Sequence, residues 1–207
     1  MSHKDTSSSL LLETIKIEEG KIHNLRYHQA RCDKSRQKLF NATDILDLSS
    51  SIKAPHTGLY RCRILYTEVL HSIEYIPYTP KKIETLKIVP SNIEYDLKYA
   101  NRDALNALLE SNKGVDEVII EKDGCLTDTT ISNVAFFDGK QWFTPDKPLL
   151  EGTMRAKLID DGFLHTKEIK QKELSNYSQV ALINAMIGFK ILNIDTIQDI
   201  KGEENDH

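Results

Sequence analysis

The chain has 207 residues, 40% of them hydrophobic and 28% charged, with a formal net charge of -4. That is enough length and apolar content for a sizeable core, and the negative balance argues against a nucleic-acid binder, whose affinity rests on cationic contacts to phosphate. No apolar stretch reaches the length of a bilayer span, and the N-terminal run through Ser9 lacks the apolar core of a secretory signal. Cys32, Cys62 and Cys125 are scattered singly, so the expectation is a cytoplasmic protein with reduced thiols and no metal site.

Leu11 to Glu18 alternates as a strand, and Glu19-Gly20 reads as a hairpin turn into Lys21-Ile22. A helix is predicted over Arg26 to Phe40, a second over Asp44 to Ile52, and a hairpin over Tyr60 to Tyr66 and Val69 to Tyr75. Ile76 to Lys82, with two prolines and two lysines, has linker composition. Beyond it Leu86 to Val89 reads as a strand. Apolar residues at 97, 100, 104, 105, 108 and 109 then predict a helix over Asp96 to Ser111, with Lys98 at its mouth. Asp123-Gly124 and Asp138-Gly139 signal hairpins flanked by Glu117 to Ile120 and Val134 to Phe137. A helix from Thr153 to Asp161 should end at Gly162, and Gln179 to Ile183 reads as a buried strand. The expected class is α+β: a small domain over residues 1–80, with residues 1–9 disordered, and a larger barrel-like one over 81–207 with a mobile tail from Lys201.

At a helix mouth Lys98 would face the positive end of the macrodipole, with Arg102 one turn along. Both disfavour the ammonium form, as a nucleophilic lysine requires. Asp96, where a cap would sit, offsets part of this. Taken alone, the segment also reads as an ordinary solvated lysine.

The segment has company. Lys98-Tyr99-Ala100-Asn101-Arg102 resembles the active-site lysine region of the class IV aminotransferases, fold-type IV pyridoxal-phosphate enzymes that include branched-chain and D-amino-acid aminotransferases and aminodeoxychorismate lyase. Three further stretches fall in family order. His28-Gln29-Ala30-Arg31 resembles the H-x-x-R helix. Gly124-Cys125-Leu126-Thr127-Asp128-Thr129-Thr130-Ile131-Ser132-Asn133 resembles the G-x-[VI]-[TS]-E-x-x-x-x-N signature, and Leu149-Leu150-Glu151-Gly152-Thr153-Met154-Arg155 resembles the L-x-G-x-[TM]-R turn. The resemblance runs from about Leu11 to Leu192.

It implies that Lys98 anchors pyridoxal 5'-phosphate covalently and acts as acid and base, and that Arg31 grips the phosphate. Asp128, standing where the family has glutamate, would keep the pyridine nitrogen protonated. The Gly152-Thr153-Met154 turn would offer backbone N–H groups to the phosphate, with Met154 where many members have threonine, and Asn184 matches a second phosphate-side position. On the substrate side, Thr14 matches the strand facing the cofactor. Alternation puts Arg61 and Arg63 on one face, where they could meet a dicarboxylate. Without the family, Arg31 is one basic residue among several on its helix, Asp128 a turn-flanking carboxylate, Asn184 a loop asparagine, and Arg61 and Arg63 an edge-strand charge pair.

The implied architecture is two unequal domains with the cofactor in the cleft between them, in a homodimer acting on a small molecule. The K-x-x-N-R form is most similar to the lyase, which converts 4-amino-4-deoxychorismate to 4-aminobenzoate and pyruvate. An aminotransferase acting on branched-chain or D-amino acids is the alternative, and a non-catalytic binding protein of the same fold a third. Family members usually carry a further strand and loop before Leu12-Glu13-Thr14, and this chain has almost none of it.

Overall fold

The computed structural model describes residues 10–198. The expected disorder before Leu10 and the expected mobile tail from Lys201 lie outside the described residues. Two compact units emerge. Within the described residues, one comprises residues 10–80 together with Tyr95–Arg102; the other comprises Lys81–Glu94 and residues 103–198. The units part after Pro80, within the linker-like stretch, but the segment carrying Lys98 belongs to the smaller unit, whereas the sequence placed it in the larger.

In the smaller unit β1 (Leu11–Glu18), β2 (Lys21–Ile22), β3 (Leu59–Tyr66) and β4 (Leu70–Pro77) form an antiparallel sheet in the order β2-β1-β3-β4. Glu19 and Gly20 both take positive φ (48° and 78°), the conformation a two-residue hairpin turn demands and glycine accepts without strain. Helix α1 (Leu25–Phe40) buries His28, Cys32, Ser35 and Arg36, spaced so that they share one face. Leu11, Ile15, Ile17, Cys62, Ile64, Tyr66 and Leu97 pack with Cys32 in one core. The helix stops at Asn41, left-handed at φ 55°, whose N–H returns to the carbonyls of Arg36 and Gln37.

The second predicted helix is shorter than its pattern. Arg36 is 1% exposed and donates to the Asp44 carbonyl at 2.7 Å, to the Asp44 carboxylate at 3.1 Å and to the Glu68 carbonyl. With Asp44 held this way, the helix starts only where Asp47 accepts from the N–H groups of Ser49 and Ser50. It is then a single turn, α2 (Leu48–Ser51).

The larger unit holds a nine-stranded mixed sheet: β5 (Leu86–Pro90), β6 (Glu117–Lys122), β7 (Cys125–Thr129), β8 (Asn133–Phe137), β9 (Trp142–Pro145), β10 (Leu164–Lys167), β11 (Gln179–Asn184), β12 (Gly188–Asn193) and β13 (Ile197–Gln198). Its order is β10-β9-β8-β7-β6-β5-β13, with β11 pairing β8 and β12. The β5–β6, β5–β13 and β9–β10 pairs are parallel. Helices α3 (Asp103–Glu110) and α4 (Thr153–Asp160) complete it, α4 closing at Gly162 with φ 72°. One core gathers Leu86, Ile119, Leu126, Phe136, Val180 and Leu182; a second gathers Ala135, Trp142, Leu164, Ala181 and Ile183, with Met154 and Leu158 of α4 against it. No helix among the described residues is long and apolar enough to cross a membrane.

Candidate active site

Lys98 is not at a helix mouth. Tyr95–Arg102 runs alongside the start of β1, where Leu12 N–H donates to the Lys98 carbonyl at 2.9 Å, Ala100 N–H donates to the Leu10 carbonyl at 2.8 Å, and Tyr99 bridges Leu11. The helix begins only at Asp103. Leu97 is therefore buried by packing on the sheet core, not by a helical stripe. Nor does Asp96 cap anything here; it pairs with Lys38 at 2.5 Å.

Lys98 is nevertheless less basic than most lysines. Burial of its amino group, then the charge of Arg31, bring its pKa from 10.5 to about 7; Arg102 adds to this and Glu13 opposes it. The cause is desolvation and a neighbouring guanidinium, with no role for a macrodipole.

Beside Lys98 lies a group the sequence reading passed over. Glu13 is fully buried at a position of β1 that alternation gives to the core, in line with Leu11, Ile15 and Ile17. Arg31 of α1 donates from Nε to its Oε1 at 2.8 Å and from Nη2 to its Oε2 at 2.6 Å. His28, one helical turn earlier, meets the same Oε2 through Nδ1 at 2.6 Å. Burial pushes the Glu13 carboxyl up, but the charge and hydrogen bonds of Arg31 and His28 outweigh it and hold the pKa at about 2. Because Glu13 is ionised, His28 Nδ1 carries the proton of that hydrogen bond, and burial keeps the imidazole pKa below its usual value. The H-x-x-R spacing thus aims both side chains at one carboxylate. Around Lys98 the charges of Arg31 and Arg102 disfavour the ammonium form and that of Glu13 favours it.

On the other face of the same sheet, Thr14 stands opposite Arg63 and Lys16 opposite Arg61 in the β1–β3 register. Arg61 and Arg63 share that face as alternation requires. Arg63 is taken up by Glu74 of β4 at 3.1 Å, its cross-strand partner, whereas Arg61 Nε is buried with no partner among the described residues.

The larger unit brings together a second set. Asp128, 4% exposed near the end of β7, accepts from Asn133 Nδ2 through Oδ1 at 2.8 Å and from Leu150 N–H through Oδ2 at 2.9 Å. Burial raises its pKa to about 7, against those two hydrogen bonds, the charge of Arg155 and a further hydrogen bond from Leu149 N–H. Asn133 also donates to the Leu150 carbonyl at 2.8 Å, so it ties β8 to the loop leading to Gly152. A Cβ on Gly152 would lie 2.0 Å from Asn133 Oδ1, so only glycine fits. Gly152 then opens α4 without a side-chain cap, which leaves the positive end of the helix to polar partners other than its cap. Thr153 is buried, and Met154 packs against the Trp142 cluster. Asn184 accepts from the N–H groups of Met186 and Ile187, both at 2.9 Å, and donates to the Ile131 carbonyl at 3.3 Å.

Residues 10–194 match the family described as amino-transferase class IV. An uncharacterized protein of Haemophilus influenzae is 39% identical over 184 residues, which are 86% of this chain and 98% of that protein. A crystal structure from Haemophilus somnus 129PT, provisionally named a 4-amino-4-deoxychorismate lyase, superposes with a TM-score of 0.79 at 38% identity, over 86% of this chain and 97% of that one. A protein of Schizosaccharomyces pombe, provisionally named aminodeoxychorismate lyase, is 35% identical over 129 residues, 56% of this chain and 54% of that protein.

Proposed function

The chain belongs to the class IV aminotransferases, and from that premise we propose that it is a pyridoxal-phosphate-dependent lyase converting 4-amino-4-deoxychorismate to 4-aminobenzoate and pyruvate. The observation that carries the reading is the Lys98 amine, held at a pKa of about 7 beside Arg31. A general base or nucleophile works best with a pKa near the operating pH. The names of the relatives at 35% and 38% identity favour the lyase over an aminotransferase.

The residues of each unit fit the cofactor by their chemistry. Arg31 engages Glu13 with Nε and Nη2, and a guanidinium is the group best suited to bind a phosphate. Asp128 accepts from Asn133 Nδ2, Leu150 N–H and Leu149 N–H, and a carboxylate has about four lone-pair sites, so it can accept another donor. A cationic ring nitrogen beside it would draw its pKa down from about 7 and make it the ionised partner. Bound pyridoxal phosphate supplies an electron sink that stabilises negative charge on the substrate carbon.

Around it the chain's own groups do the rest. Lys98 as free base takes the proton from the carbon bearing the substrate amine. The enolpyruvyl group then departs with its oxygen and is released as pyruvate, the ring becoming aromatic. His28 steadies Glu13 and Glu13 holds Arg31, while burial and then the charge of Arg31 bring the Lys98 pKa to about 7. Thr14 and Arg61 offer a hydroxyl and a guanidinium to the substrate carboxylates. The active species is a homodimer in the cytoplasm.

Purified protein loaded with pyridoxal phosphate is given 4-amino-4-deoxychorismate, or a panel of branched-chain and D-amino acids with 2-oxoglutarate. Release of 4-aminobenzoate and pyruvate in equal amounts is the expected result. Amino-group transfer without elimination would replace the lyase with an aminotransferase, and failure of Lys98 to react with the cofactor would remove both.

A further inference from the structure

Glu117, the first residue of β6, is fully buried, with no basic side chain among its hydrogen-bond partners. Its Oε1 accepts from Val118 N–H at 2.9 Å, from Thr130 N–H at 3.2 Å and from the Thr130 hydroxyl at 2.8 Å, while Oε2 is buried without a partner among the described residues. A buried carboxylate so placed costs stability, and the group it holds is the turn between β7 and β8.

That turn has little backbone support. Strands β7 and β8 pair at Asp128↔Asn133, and the β6–β7 register is irregular between Ile119 and Glu121, just where Asp128 would find its neighbour on β6. One backbone bond, from Thr129 N–H to the Ser132 carbonyl at 2.8 Å, crosses the turn, and side chains add to it: Thr129 Oγ1 accepts from Ser132 N–H at 2.9 Å, and Asn184 bonds the Ile131 carbonyl. Glu117 grips the turn from behind, through both polar groups of Thr130 that face it.

We propose that Glu117 is a positioning residue: acting through Thr130, it fixes the turn that sets where the Asp128 carboxylate stands, and so governs cofactor binding. This rests on the reading that Asp128 serves the cofactor. Oε1 holds Thr130 at two points, its N–H and its hydroxyl, and so supplies fixed contacts where strand pairing is sparse.

The test uses the full chain, with pyridoxal phosphate as the probe, and Glu117→Gln, Glu117→Ala and Thr130→Val beside the unaltered protein. Affinity is read by absorbance titration, together with the pH midpoint of the bound cofactor's visible band. Glu117→Ala and Thr130→Val should each weaken binding about tenfold, the loss of one good hydrogen bond, and shift that midpoint; Glu117→Gln, which keeps the acceptor at Oε1, should recover most of both. Thr130→Val alone decides the matter if Glu117→Ala does not fold. Folded variants with unchanged affinity and midpoint overturn the proposal, as does a lowered melting temperature with binding intact. If the unaltered protein does not bind pyridoxal phosphate, it is the proposed function that fails, before Glu117 is tested.

Discussion

Arg31 grips Glu13 side-on, Nε to Oε1 at 2.8 Å and Nη2 to Oε2 at 2.6 Å, while His28 takes the same Oε2 from the next turn of the helix. Removing one partner of such a buried pair leaves the other desolvated. Arg31→Met should therefore lower stability by about 3–5 kcal/mol, measured by urea denaturation of the cofactor-free protein. It should also raise the pKa of Lys98, since Arg31 is the strongest charge depressing it. The pH dependence of Lys98 modification by an amine-specific reagent would show the midpoint moving upward from about 7; an unmoved midpoint would leave burial and Arg102 as the causes.

Glu13→Gln tests the opposite sign. Glu13 raises the Lys98 pKa, so its neutral isostere should move the modification midpoint below about 7. Glu13 itself is held at about 2 in the folded state against 4.5 ordinarily. A carboxylate with a depressed folded pKa contributes stability that is complete above the unfolded value and lost as pH falls through the folded one. The unaltered protein should then lose on the order of 3 kcal/mol between about pH 4.5 and pH 2 through this group. In Glu13→Gln that part of the acid limb should be missing.

Asp128 and Lys98, one in each unit, predict opposite pH dependences in the middle of the pH range. Asp128 has a folded pKa of about 7, so the folded state binds the extra proton between 3.8 and 7, and stability falls as pH rises through that window. Lys98 has a folded pKa of about 7 against 10.5, so the unfolded state binds the extra proton above 7, and stability rises with pH there. In cofactor-free protein the denaturation midpoint of the larger unit, which holds Asp128, should fall as pH rises to about 7, and that of the smaller unit, which holds Lys98, should rise above about 7. Lys98→Met should flatten the rise in the smaller unit. Midpoints that move the opposite way would show that the two groups are not buried as described.

Much of this was legible in the chain, for reasons that differ by residue. Glu19-Gly20 and Asp123-Gly124 announced their turns because positive φ is a local demand that few residue pairs meet. Arg61 and Arg63 were placed on one face by the period of a strand, yet the capture of Arg63 by Glu74 depends on the β3–β4 register, which no local pattern states. The helix drawn from Asp96 to Ser111 absorbed Leu97 and Ala100, whose burial comes from pairing with β1 far back in the sequence. Periodicity reports which residues are buried and cannot say whether a helix or a distant strand buries them. Glu13 was open to discovery, since alternation puts it among Leu11, Ile15 and Ile17. Its partners on α1 became visible only once the helix lay on the sheet.

Gly152 offers the sharpest steric test. Its missing Cβ would sit 2.0 Å from Asn133 Oδ1, closer than any non-bonded contact allows. Asn133 cannot simply step aside, because its Nδ2 bonds both Asp128 Oδ1 and the Leu150 carbonyl. Gly152→Ala should therefore cost about 1–3 kcal/mol from overpacking and displace the Asn133 amide from Asp128, lowering pyridoxal-phosphate affinity as well as the melting temperature. Asn133→Ala makes room for the new methyl group, so the double variant should regain thermal stability relative to Gly152→Ala. It should not regain cofactor affinity, because Asp128 Oδ1 would still lack its donor. The two measurements form a double-mutant cycle coupled in both stability and binding, since either change alone already takes the donor from Asp128 and the double change takes it only once. Additive losses in stability would mean that residues 150–152 relax away from Asn133, and that the glycine is required by something other than this contact.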